Sequence, residues 1–448
     1  MSYPAYAEVK ASGVEWLGDV PKDWAIRRMR YACHLNPTKS EVSSLPPETL
    51  VSFLPMEKVG TEGELVLDDN RALEDVLQGF TYFRNIDIIT AKITPCFENG
   101  KGAIVSHLTN GIGFGSTEFH VLRPFRGNVP RFIYYLTKSH SFRSWGIASM
   151  YGAGGQKRVP EDFIEDFRIG FPPEAQQQQI AAFLDRKTAE LDAVLRLKKR
   201  QLELLAEKRQ ALISQAVTRG LDPSAPLKPS GIAWLGDVPE HWEIVPLKYL
   251  ASFTGGGTPA KENLDFWAGE IPWVSPKDMK TDWIEDTEDH ISEDALTTNA
   301  TSMITPGTVL LVVRSGILKH TIPVAINIKP VTLNQDMKAV IFGRRAEARY
   351  FAYLVRGCQN TLLTLWRKAG ATVESIEQEY LANTECPVPP IPEQAAIVAY
   401  IDRETAQMDG IAQAIRAQIG TVREYRQALI SAAVTGKIDV RAEAGNPA

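Results

Sequence analysis

Only four cysteines occur in the 448 residues, Cys33, Cys96, Cys358 and Cys386, and no two form a Cys-x-x-Cys pair. That dispersal argues against a disulfide framework or a thiolate zinc site and leaves core or surface thiols. The seven histidines are equally scattered, without a His-Glu-x-x-His, so no structural metal is expected. No apolar run approaches the roughly 20 residues that cross a bilayer; the longest, residues 308–313, is strand-sized. The opening MSYPAYAEVK lacks the basic start and apolar stretch of a secretory signal. A cytoplasmic protein without membrane association is the expectation. Acidic balance, with a net charge of −5, argues at first against a nucleic-acid partner.

What is present is a globular composition, 44% hydrophobic and 23% charged, in a chain long enough for two or three domains. It is also a duplication. SGVEWLGDVPKDW (residues 12–24) returns as SGIAWLGDVPEHW (residues 230–242), identical at nine of thirteen positions. PPEAQQQQIAAFLDRKTAELDAV (172–194) matches PPIPEQAAIVAYIDRETAQMDGI (389–411), and KRQALISQAVTRGLD (208–222) matches YRQALISAAVTGKID (425–439). Each copy therefore opens with a Trp-Leu-Gly-Asp-Val-Pro block and closes with a long segment that starts after a proline pair.

The closing segments carry a heptad stripe. Leu191, Leu195, Lys198, Leu202, Leu205, Arg209, Leu212 and Ala216 step by four and three, and Met408, Ala412, Ile415, Ile419, Val422, Arg426, Leu429 and Ala433 do the same. Each predicts a helix roughly 60 Å long, far beyond the usual globular helix of about 12 residues. Two such rods in one chain point to intramolecular pairing. The interiors have short β-like runs, such as IDIITAKI (86–93), KGAIVSHL (101–108), TVLLVVR (308–314) and KAVIFG (338–343), followed by helical stretches over 130–145 and 348–366. Each interior is an α+β domain of about 160 residues.

Local charge reverses the first impression. Residues 119–160 hold seven Lys and Arg (Arg123, Arg126, Arg131, Lys138, Arg143, Lys157, Arg158) and no acid. Residues 337–373 hold seven (Lys338, Arg344, Arg345, Arg349, Arg356, Arg367, Lys368) against Glu347 alone. A solvated face normally mixes signs, whereas phosphate contacts use Arg, Lys and backbone N–H groups. Glycine-rich turns, YGAGGQKR (151–158) and RKAGATVES (367–375), end both windows. Catalytic motifs are weak. GIGFGS (111–116) looks like a cofactor loop but runs into TEFHVLRP, which alternates as a strand. TGGGTPA (254–260) lacks the Gly-Lys-Ser/Thr of a P-loop, and the metal-nuclease-like set Asp265, Asp278 and Lys280 is not repeated in copy one. A stand-alone nuclease or methyltransferase, and a scaffold that never touches DNA, remain the competing readings.

The paired opening blocks, the G-G-T-P turn (Gly256, Gly257, Thr258, Pro259), the STEF and NQDM runs (116–119, 334–337) and the P-P-x-x-E-Q-x-x-I helix start closely resemble the specificity subunit of type I restriction-modification systems, over about residues 12–440. The first copy departs from it, with Gln176 and Gln177 for the usual Glu-Gln and HLNPTKS (34–40) in place of the G-G-T-P turn. The resemblance implies two target recognition domains, 12–173 and 230–390, that read a bipartite, asymmetric DNA site. It implies spacer helices over 174–217 and 391–435, paired antiparallel as a coiled coil, with a leader (1–11), a linker (218–229) and a tail (436–448) around them. It also implies no catalysis by this chain alone, and together with the failed loop motifs it adds the expectation that this chain binds no cofactor. Two methyltransferase subunits using S-adenosylmethionine and two ATP- and Mg²⁺-dependent restriction subunits would complete the complex.

Candidate DNA contacts are Lys92, Thr117, Arg143, Lys157 and Arg158 in copy one and Arg314, Gln335, Arg367 and Lys368 in copy two, the STEF and NQDM runs being read as strands. Arg209 and Arg426, in the repeated R-Q-A-L-I-S, are candidates for a partner's docking surface or for packing, and with Lys198 their stems could cover the seam.

Overall fold

The computed structural model describes residues 3–153, 155–298, 301–368 and 373–445. Six helices carry the argument: α1 (Pro130–Lys138), α2 (His140–Ala148), α3 (Glu174–Arg219), α4 (Ala348–Gly357), α5 (Gln359–Trp366) and α6 (Ile391–Val434). The chain forms two compact units, Met1–Lys198 with Arg416–Ala448, and Lys199–Ile415. The division cuts both long helices, so each unit holds one interior, the start of that interior's own long helix and the end of the other. The heptad stripe is the less exposed side of both helices: every stripe residue is buried or half-buried.

In the first unit the strands of two four-stranded sheets are interleaved along the sequence. One runs Asn70–Ala72, Leu50–Leu54, Ile112–Gly115, Thr81–Arg84, and the other Cys33–Leu35, Phe119–Pro124, Ile88–Ala91, Gly102–Ile104. The second unit has a five-stranded sheet (Ala251–Gly255, Met337–Phe342, Val309–Val312, Val324–Asn327, Trp283–Ile284) and a three-stranded one (His290–Ile291, Ile271–Val274, Thr332–Leu333). The two interiors share a central antiparallel pair, Ile88–Ala91 with Phe119–Pro124 and Val309–Val312 with Met337–Phe342, flanked on both sides by antiparallel strands. Strands buried on both faces read as apolar runs, as Ile88–Ala91 and Val309–Val312 do. GIGFGS is one of the sheet strands, not a loop: a Cβ on Gly115 would sit 2.2 Å from the Leu54 carbonyl oxygen.

The helices predicted over 130–145 and 348–366 are each broken in two. Ser139 leaves the helical region and its hydroxyl accepts from the Phe142 amide, capping α2. Cys358 makes the corresponding break between α4 and α5. The stretch expected as a linker contains a strand, Leu227–Pro229, paired with Asp237–Pro239, and Val9–Ala11 pairs in the same way with Asp19–Pro21.

Each long helix is tied to its own interior at its first turn. Gln177, 2% exposed, accepts from the Val129 amide at the start of α1 (2.8 Å) and donates to the Pro172 carbonyl (2.9 Å). Gln394 accepts from the Glu347 amide before α4 (2.8 Å) and donates to Pro389 (2.7 Å) and Arg345 (3.1 Å). These bonds satisfy amides and carbonyls that helix ends leave open. Beside them the buried indoles of the opening blocks donate to the preceding position, Trp24 to Gln176 (2.9 Å) and Trp242 to Glu393 (3.1 Å). The motif Gln is therefore a junction residue, and the Glu-to-Gln change at Gln176 keeps the acceptor.

The far end of each long helix meets the other copy's interior. Gln210 of α3 donates to the Arg356 and Gly357 carbonyls at the end of α4 (2.9 and 2.8 Å), and Gln427 of α6 donates to Lys138 at the end of α1 (2.7 Å). Both helices stop at a glycine in the left-handed region, Gly220 and Gly436. A Cβ on Gly436 would lie 2.4 Å from Pro21 of the first opening block. Between the helices Arg209 pairs with Asp409, and the matching Arg426 pairs with Asp192 (3.3 Å) and with Glu62.

The junction generates a stability prediction. Gln394→Ala leaves a buried amide and two carbonyls without partners and is expected to lower the unfolding free energy by about 2 kcal/mol, with Gln394→Glu similarly costly because it cannot donate. Urea unfolding of the full chain measures both, and losses below about 0.5 kcal/mol for the pair would contradict the assignment.

Candidate nucleic-acid interface

Most of the cations in the two basic windows are committed inside their own unit. Arg131 of α1 pairs with Asp185 of α3 (2.6 Å) while the Tyr135 hydroxyl donates to the same carboxylate (2.6 Å). Arg349 of α4 and Tyr353 do the same to Asp402 of α6. Arg123 is held by Asp87 (2.7 Å) and Glu41 (2.6 Å). Lys138 donates to the Thr61, Gly100 and Gly102 carbonyls. Arg356 takes Asp282 (3.0 Å) and the Val324 carbonyl (3.1 Å), and Arg345 takes Glu243. The acid-free windows are thus largely engaged from elsewhere in the chain, Arg131 and Arg349 by the long helices and the others by their own interior, rather than forming an open phosphate face.

The remaining candidates gather at one edge of each central strand pair. Residues 116–118 form a turn, not the strand expected for STEF, and so do residues 334–336 of NQDM. The two turns are built alike. Ser116 accepts through its hydroxyl from the Glu118 amide (3.2 Å), and Asn334 accepts through its side-chain oxygen from the Asp336 amide (2.9 Å). The Lys92 amide donates to the Glu118 carbonyl and the Val313 amide to the Asp336 carbonyl, both at 2.8 Å. Val159 donates to Lys92 and Ile376 to Val313, again at 2.8 Å. Three segments far apart in sequence meet in the same way twice.

Side chains on this common backbone differ. In the first unit Thr117 is exposed at the turn, Lys157 is exposed beside it, and Lys92 is half-buried. Among the described residues neither lysine has an ion-pair partner. Arg158 grips Glu118 through Nε (2.9 Å) and Nη2 (2.7 Å), and those bonds hold the Glu118 carboxyl below its ordinary range. In the second unit Gln335 is exposed and receives the Thr258 hydroxyl of the G-G-T-P turn. Arg314 pairs with Asp336 (2.8 Å), Arg367 with Glu374 (2.6 Å) and Lys368 with Glu377 (3.1 Å). Exposed apolar side chains lie nearby in sequence, Tyr151 in the first unit and Ile317 in the second. The glycine turns fall partly outside the described residues, at 154 and at 369–372.

Arg143 departs from the rest. Its guanidinium turns inward to the Glu98 carbonyl, half-buried against Gly100, where it serves the 95–101 loop. Arg426 is engaged by Glu62 and Asp192 with its side chain 14% exposed, and Arg209 by Asp409. Of the nuclease-like set, Asp278 accepts from the Ser275 amide and hydroxyl (both 2.8 Å) and from the Glu288 amide (3.0 Å), and Lys280 pairs with Glu288 (3.2 Å). Those contacts fix a loop. Sequence reasoning missed Asp185, Asp402, Glu118 and Asp336; the signal was present in the repeated L-D-R and I-D-R and in the acid at the third place of STEF and NQDM.

Two structurally matched readers, each clamped to paired long helices, define a duplicated recognition module. Residues 77–204 and 239–420 match the type I restriction modification DNA specificity domain, and the chain belongs to that family. A type I restriction enzyme specificity subunit of Escherichia coli is 33% identical over 286 residues, covering 61% of this chain and 64% of the relative. The EcoAI specificity subunit of the same organism is 42% identical over 168 residues, covering 36% of this chain and 27% of the relative. The chain thus matches about two thirds and about a quarter of those relatives' own length. A solved chain from work on complex assembly and conformational transition of the type I R-M system superposes with a TM-score of 0.74 at 21% identity, over 93% of this chain and 98% of that one, and shares the fold. Among the described residues no helix is long and apolar enough to cross a membrane.

Charge removal separates clamps from free cations. Arg131→Ala is expected to lower stability by about 1 kcal/mol, already discounted for screening at a half-exposed pair, and Lys157→Ala by less than about 0.5 kcal/mol. Denaturant unfolding of both variants checks this; equal losses would show that the window is not divided in this way.

Proposed function

We propose that this chain is the DNA-reading subunit of a type I restriction-modification complex, in which each unit recognises one half of a bipartite, asymmetric duplex site. One observation carries the reading: the same turn, held by the same three backbone and capping bonds, presents Thr117, Glu118, Lys92 and Lys157 in one unit and Gln335, Asp336, Arg314 and Arg367 in the other. A shared backbone with different polar side chains suits two readers of different base sequences, because base edges are told apart by the placement of donors and acceptors. Lys92, Lys157, Arg158, Arg314, Arg367 and Lys368 supply phosphate or base contacts, and Thr117 and Gln335 stand where a base edge is read. Arg143 acts through the loop it holds rather than on DNA.

In this reading the long helices set the gap between half-sites, as spacing in two-headed binders follows from protein geometry. A helix of 46 residues, α3, spans about 69 Å, on the order of two turns of B-DNA. The chain itself performs no chemistry. Two methyltransferase subunits bring S-adenosylmethionine, two restriction subunits bring ATP hydrolysis and Mg²⁺, and the assembly works in the cytoplasm. The R-Q-A-L-I-S segments with Arg209 and Arg426 serve docking of those subunits only through the helix pair they lock.

The test is co-expression with a type I methyltransferase subunit followed by genome-wide mapping of methylated adenines. One bipartite motif is expected, and exchange of residues 12–173 for those of a relative with another target is expected to change one half and leave the other half and the gap intact. Change in both halves, or methylation by this chain alone, would overturn the reading.

A further inference from the structure

We propose that Glu118 and Asp336 are specificity-determining latches: each carboxylate occupies a guanidinium that would otherwise grip any DNA phosphate. The inference rests on the proposed DNA-reading role and concerns residues that would act against binding. In both units the acid is the third residue of the exposed turn, and in both an arginine pairs with it, through hydrogen bonds at Glu118 (2.7 Å) and as a charge contact at Asp336 (2.8 Å). The arginine comes from different places. Arg158 reaches Glu118 from the 151–158 segment, whereas Arg314 reaches Asp336 from the end of the central strand Val309–Val312.

The ion pair that clamps each short helix to its long helix is duplicated position for position, Arg131–Asp185 as Arg349–Asp402. At the turns the acid keeps its position and the cation is supplied anew, so what recurs is a neutralised arginine at the reading edge. The exposures agree. The guanidinium side chains are 38% and 56% exposed, their carboxylate partners 24% and 23%, so the cation remains the more accessible member. A phosphate arriving at Arg158 or Arg314 must displace the carboxylate. A correctly placed base edge can compensate the displaced acid, since a carboxylate accepts from the cytosine amino group; a wrong base cannot. The latch therefore taxes non-specific binding more than specific binding.

The counterion balance makes this measurable. Each phosphate neutralised by a free cation steepens the dependence of log Kobs on log salt by about 0.9. An arginine that leaves a carboxylate for a phosphate gives back roughly that amount, because the released acid takes up a cation. Fluorescence anisotropy of the full chain with a 40-base-pair duplex of random sequence, across a salt series, is the experiment. E118Q and D336N are each expected to tighten binding several-fold and to steepen the slope by about 0.9, and Arg158→Gln added to E118Q is expected to return the slope to the parent value. Both substitutions are near-isosteric, and thermal melts confirm folding. Unchanged affinity and slope in both variants would overturn the latch, as would weaker binding, which would make the carboxylates attractive contacts. If the parent chain shows no salt-dependent duplex binding, the DNA-reading role itself fails and the latch falls with it.

Discussion

The junction at which a long helix leaves its interior domain positions the edge where the candidate contacts gather. There a fully buried glutamine joins three chain segments: the helix start, the proline pair before it and the amide that opens the neighbouring short helix. About two turns further on, Asp185 or Asp402 collects an arginine and a tyrosine from that short helix. The glutamine, buried and fully satisfied, fixes one arrangement rather than simply adding stability. The short helix packs on the sheet whose central pair carries that turn, on Ile88–Ala91 and Gly102–Ile104 in the first unit and on Val324–Asn327 and Val309–Val312 in the second.

The same economy explains the swapped ends. Gln210 caps the short helix of the second unit although it belongs to the first copy, and Gln427 does the reverse. Each compact unit is therefore made of parts from both copies, and neither copy contains a complete one. Duplication of the clamp residues alongside divergence of the turn residues is the pattern expected when one scaffold must hold two different readers.

Much of the architecture was legible because it is repeated. The opening blocks, the helix starts and the heptad stripe stand at fixed offsets, and the stripe predicts the covered side of both helices residue by residue. Charge was not legible. Arg131 and its partner Asp185 are 54 positions apart, Arg123 and Glu41 82 apart, so counting within a window could not see the neutralising acids. Local competition was equally hidden: Ser139 reads as one more polar residue in a helical stretch until its hydroxyl is seen capping the next helix. Of the candidate contacts, Lys92, Thr117, Lys157 and Arg158 do converge, because a turn, a strand end and a hairpin meet there, while Arg143 sits on the inward side of its helix.

The family assignment gives the chain its class; the matched turns give that class a physical basis in this molecule. The most direct measurement is hydroxyl-radical footprinting of the chain, assembled with its methyltransferase subunits, on a duplex carrying the mapped site. Two short protected patches separated by an accessible gap, with the protection at one patch lost when Thr117 and Lys157 are replaced by alanine and the other patch unchanged, is the predicted result. A single continuous footprint, or loss of both patches together, would contradict two independently reading units on one scaffold.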